Sequence, residues 1–83
     1  MKKYLVGVYL PAISKHYDAY LPAGVRIDDV TRLLINIAES LSGGSFKGTA
    51  DTVLLDADSG IPLKRSITVY DAGIRNSSKL ILI

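Results

Sequence analysis

One helical stripe, set between stretches that alternate every second residue, leaves this chain few ways to fold. Val30, Leu33, Leu34, Ile37, Ala38 and Leu41 fall at i, i+3, i+4, i+7, i+8 and i+11, a continuous apolar face at the helical period. Asp28 or Asp29 stands where an N-cap belongs, and both complement the positive end of the helix dipole. Ser42, Gly43 and Gly44 stop the helix, because glycine readily takes the left-handed geometry of a C-cap. A helix with one apolar stripe must bury it against another layer, and strands supply that layer here.

The first strand runs over about Lys3 to Leu10, where Tyr4, Val6, Val8 and Leu10 alternate with Leu5, Gly7 and Tyr9. Pro11 turns the chain, since proline cannot continue a central ladder. A second strand over about Tyr17 to Leu21 completes a hairpin, with Ala19 and Leu21 inward and Asp18 and Tyr20 outward, and Pro22 and Gly24 end it. Beyond the helix and a polar loop containing Phe46, a third strand is expected over about Thr52 to Leu55. The run Asp56 to Gly60 is a turn of short polar side chains and glycine. A short fourth strand near Ile61 to Lys64 is interrupted by Pro62, and Lys79 to Ile83 form the final strand. Ile67, Val69 and Ile74 are inward anchors around a turn at Asp71 to Gly73. No internal repeat or linker divides the chain, so residues 1–83 are expected to form one domain, near the lower size limit for an unaided core.

Charge and composition exclude several function classes. Cysteine is absent, which removes disulfides, thiol catalysis and thiolate metal sites and fits a reducing cytoplasm. The net charge is +2, but the ten basic residues are dispersed among eight acidic ones, without the clustered stripe that binds nucleic acid. Lys2 and Lys3 before an apolar run imitate a secretory signal, yet the β-branched, aromatic alternation there is that of a strand. No segment approaches the roughly 18 apolar residues of a membrane-spanning helix.

Strand, strand, helix, strand, short strand, strand is the order of the ubiquitin-like β-grasp, an α+β fold with one helix across a mixed sheet of four or five strands. Tyr17, Asp18 and Leu21-Pro22 lead into Ile27 and the helix, and Asp71, Gly73, Ile74 and Asn76 precede Leu80-Ile81-Leu82. In these residues nearly the whole chain resembles the YukD/EsaB ubiquitin-like family. That resemblance implies a small cytoplasmic accessory protein of a Gram-positive type VII (WXG100, Ess or Yuk) secretion system. It would act through contacts with secretion components, with no catalytic residues and no cofactor.

Ubiquitin-type conjugation and sulfur carriage need a flexible tail ending in Gly-Gly. Here Gly43-Gly44 is the only such pair and lies at a helix end, while Ile83 belongs to a strand, so neither chemistry is expected. The alternative is a modifier or sulfur carrier whose Gly-Gly tail lies beyond these 83 residues. His16 is the sole histidine, placed on a hairpin loop without a nucleophile motif. Asp56-Ala57-Asp58-Ser59-Gly60 opens like a calcium loop, but Ile61 and Ile67 occupy the positions that need glycine and glutamate. Gly43 to Thr49 lacks P-loop spacing and does not run from a strand into a helix. No metal site is expected.

An apolar surplus is the most suggestive feature. If Val6, Val8, Leu10, Leu80 and Leu82 face the helix, alternation forces Leu5, Tyr9, Ile81 and Ile83 onto the opposite face. Tyr20 joins them from the second strand, and Leu54 is the candidate from the third. These six are the expected protein-interaction residues, in one contiguous patch, for a partner protein or for a second copy in a homodimer.

Overall fold

Residues 2–83 are described in the computed structural model. Burial alternates along β1 (Lys3–Leu10), with Tyr4, Val6, Val8 and Leu10 inside the core. β-Branched and aromatic side chains suit this extended backbone, and its period of two gives each set its own face. A 3-10 turn at Pro11–Ile13 reverses the chain. β2 (Lys15–Pro22) then returns antiparallel to β1, from Leu10 opposite Lys15 to Lys3 opposite Pro22. It extends past both ends of the expected strand but keeps its phase, with Leu21 buried and Asp18 and Tyr20 exposed.

The helix α1 (Ile27–Leu41) begins before the expected stripe, which changes the buried face. Ile27, Val30, Thr31, Leu34 and Ala38 pack inward, whereas Leu33 and Leu41 are exposed and Ile37 is half-buried. Leu33, Ile37 and Leu41 thus form a separate i, i+4, i+8 row at the margin of the packed stripe. The expected side-chain cap is also absent. Arg26 is the N-cap, and the amides of Ile27 and Asp28 donate to the carbonyls of Ile67 and Arg65 at 2.8 and 3.1 Å. A distant loop therefore satisfies amides that a cap residue would otherwise hold. Asp28 and Asp29 sit in the first turn, where their charge complements the helix dipole. At the far end Gly43 and Gly44 have φ of 62° and 94°, a geometry that glycine adopts without the usual Cβ penalty.

β3 (Leu54–Asp56) and β4 (Lys79–Leu82) complete a four-stranded sheet in the order β2-β1-β4-β3. β4 runs parallel to β1 and antiparallel to β3, and α1 packs across the inner face with Val8, Leu80 and Leu82 beneath it. This is the ubiquitin-like β-grasp expected from the element order. Ile61 to Lys64 is not a fifth strand: one bridge joins Leu55 to Pro62, flanked by Asp56 N–H to Ile61 O and Leu63 N–H to Leu54 O. Pro62 has no N–H with which to extend the ladder. Phe46, from the loop expected to be polar, closes the core at 5 % exposure.

Candidate functional site: the outer face of the sheet

The outer face is built by residues of β1 and β4 that alternation turns away from α1. Leu5 sits opposite Tyr20, Tyr9 opposite Ile81, and Ile81 in turn opposite Leu55. Leu5 and Tyr9 are each 40 % exposed, Ile83 50 % and Tyr20 62 %, while Ile81 is half-buried among its neighbours. The backbone of Leu5 is held from the far side by the turn before β4: its N–H donates to Asn76 Oδ1 at 2.9 Å, and its carbonyl accepts from Ser77 N–H at 2.8 Å. Ile83 continues the ladder, donating to Val53 O at 3.0 Å and accepting from Val53 N–H at 2.6 Å.

Five of the six expected residues lie on this face; Leu54 does not. It pairs with Leu82, points into the core and is 2 % exposed. The outward positions of this segment are Leu55, opposite Ile81, and Val53, paired with Ile83. Because Val53, Leu54 and Leu55 are contiguous and all apolar, period-2 reasoning cannot tell which of them faces out, and a one-residue slip exchanges the faces. Register against Ile81 supplies the missing signal.

The outward residues also fall into two clusters rather than one patch. Leu5 and Tyr20 lie at one end, and Tyr9, Ile81, Leu55, Val53 and Ile83 at the other. Between them runs the row Asp18, Gly7, Lys79, in which Gly7 pairs with both flanking residues. Lacking a side chain, Gly7 opens a shallow depression of about 260 Å³ lined by Tyr9, His16, Asp18 and Lys79. Asp18 and Lys79 are both exposed and make no ion pair with each other. Their backbones stand two strand spacings apart, roughly 9.5 Å, on either side of Gly7, and Asp18 Oδ1 leans to 3.8 Å from where a Cβ on Gly7 would stand.

His16 is exposed at the rim of the depression, and among the described residues no three His, Asp or Glu side chains converge as a metal site. Away from this face, burial pushes the Tyr17 phenol up to about 12, and its hydroxyl donates to Leu34 O at 2.8 Å against α1. No helix of the described residues is long and apolar enough to cross a membrane.

Fold and face together define a ubiquitin-like β-grasp protein. No protein-family model matches the sequence, and no curated protein matches it significantly. Solved structures do. The chain is similar over its full length to the EccD5 ubiquitin-like domain from Mycobacterium xenopi, with a TM-score of 0.82, 16 % identity and 94 % of that chain covered. It is similar to the ubiquitin-like domain of the Mycobacterium tuberculosis type VII secretion system protein EccD1, with a TM-score of 0.68, 25 % identity and 99 % of that domain covered. A chain of the MycP5-free ESX-5 inner membrane complex also matches, with a TM-score of 0.82 and 18 % identity, and this protein spans 21 % of its length.

Proposed function

We propose that this protein is a non-enzymatic, cytoplasmic interaction module of a type VII secretion system, in the manner of the Gram-positive YukD/EsaB proteins. Its docking surface is the outer face of the sheet. Leu5, Tyr9, Tyr20, Ile81 and Ile83 form that surface, with Leu55 and Val53 in the place expected for Leu54. The observation that carries the proposal is the pair of exposed apolar clusters, rich in tyrosine, on a rigid sheet; such surfaces mark protein contacts. Likeness to ubiquitin-like domains of type VII secretion proteins supports the cellular setting.

The test is capture of secretion components by purified protein, comparing wild type with Leu5→Asp/Ile81→Asp. The double variant should keep its circular dichroism spectrum and a cooperative melt but lose the captured secretion components. Undiminished capture by a folded double variant would refute the assignment of this face.

A further inference from the structure

Two opposite charges, in no ion pair among the described residues, flank Gly7 at the same level of the outer face. Asp18 lies on β2 and Lys79 on β4, each one strand away from Gly7 on β1. We propose that a second copy of this chain docks here, sheet to sheet, about a two-fold axis running along β1, so that Asp18 of each copy pairs with Lys79 of the other. This rests on the outer face being the docking surface proposed above and names one occupant of it.

The geometry follows from symmetry. A two-fold axis lying between the sheets and parallel to β1 carries a residue on one side of that strand to the opposite side of the facing copy. Asp18 therefore lands over Lys79 of the second copy and Lys79 over Asp18, giving two ion pairs from one operation. Packed sheets stand about 10 Å apart with their strands nearly aligned, a gap that two such side chains reaching toward each other can span. Gly7 carries no side chain, so among the described residues the only side-chain atom near its Cβ position is Asp18 Oδ1 at 3.8 Å, and the lysine stems converge on that carboxylate. Tyr9 and Leu5 lie on the axis and meet their own counterparts, and Tyr20 covers the turn at Ser77 of the other copy. The same face thus supplies both halves of the charge match, which a face bearing one sign of charge cannot do.

The area sets the strength. An axis along β1 overlays β2, β1 and β4 of one copy on β4, β1 and β2 of the other and leaves β3 outside. Three strands about 4.8 Å apart and some six residues long offer roughly 300 Å² per copy, against about 800 Å² per partner for a standard stable interface. Self-association is therefore weak, with dissociation in the range of roughly 0.1 to 1 mM, and it competes with any other partner for this face.

Sedimentation equilibrium and concentration-dependent amide chemical shifts test the proposal. Wild type should dimerise, and added salt should weaken the dimer by screening the pairs. Asp18→Lys and Lys79→Asp should each self-associate at least about tenfold more weakly, because each places like charges opposite one another in both pairs. An equimolar mixture of the two variants should dimerise again, since one chain then carries lysine at both positions, the other carries aspartate at both, and each contact again joins opposite charges. Neutral Asp18→Asn and Lys79→Gln should show the same loss in smaller measure and stand in for any reversal that disturbs the fold. Wild type that stays monomeric at about 2 mM, a folded single variant that dimerises undiminished, or a mixture that stays monomeric would each overturn the inference. Loss of secretion-component capture in Leu5→Asp/Ile81→Asp is a separate readout, so the docking face can stand while the dimer falls.

Discussion

Leu54→Ala and Leu55→Ala, one residue apart on β3, should behave as opposites. Leu54 is 2 % exposed against Leu82, so truncation to alanine removes three carbons from the core. At about 0.8 kcal/mol per buried carbon that is about 2.4 kcal/mol, and the cavity left behind brings the loss to about 3 to 4 kcal/mol. A domain of 83 residues shifts its melting temperature by about 4 to 8 °C per kcal/mol, so Leu54→Ala should melt about 12 to 30 °C lower. Leu55 faces outward beside Ile81 and is only half-buried, and its truncation should cost about 1 kcal/mol or less. Chemical denaturation with both variants at equal concentration measures the difference. The aspartate versions add the functional contrast: Leu54→Asp should fail to fold, whereas Leu55→Asp should fold and lose partner capture. Equal destabilisation by the two alanines, or a greater loss at Leu55, would show the register of β3 to be wrong and would remove Leu55 from the docking face.

Two further outcomes test the packing around α1. Burial raises the Tyr17 phenol from 10.0 to about 12, so the stability it contributes is fully present below pH 10 and is lost as pH rises through about 12. The full shift corresponds to about 2.7 kcal/mol, reduced to about 1 to 2 kcal/mol because the side chain is only half-buried. Ultraviolet titration should show the Tyr17 phenol ionising near pH 12, and Tyr17→Phe should remove that component; its undiminished persistence would contradict the assignment. Gly48→Ala should destabilise by about 1 to 3 kcal/mol, because a Cβ there would collide with Ile35 Cγ2 and crowd Cδ1 and Cγ1 at 3.1 and 3.2 Å. A denaturation midpoint equal to wild type would show that Ile35 moves aside freely.

Much of the outer face was legible before the structure because β1 and β4 alternate strictly. Once Val6, Val8, Leu80 and Leu82 are inside, Leu5, Tyr9, Ile81 and Ile83 have nowhere else to point, and all are found there. The row that divides the face gave no such sign. Gly7, Asp18 and Lys79 are far apart in the chain, carry no motif, and become neighbours only through the β1–β2 and β1–β4 registers.

By itself, the sequence determined the order of β1, β2, α1, β3 and β4, though not the short strand expected at Ile61 to Lys64, and with it the phase of β1, β2 and β4 and the body of the helix, since each is written in a local period that needs no distant partner. Only the tertiary structure decided the rest. The phase of β3 depends on pairing with β4, because an unbroken apolar run has no period to read. The start of α1 depends on the carbonyls of Arg65 and Ile67, because an orphan amide donates to any nearby oxygen and not only to that of a cap residue. The burial of Phe46 and the exposure of Leu33 and Leu41 depend on where the helix lies on the sheet, a relation between surfaces that no single segment encodes.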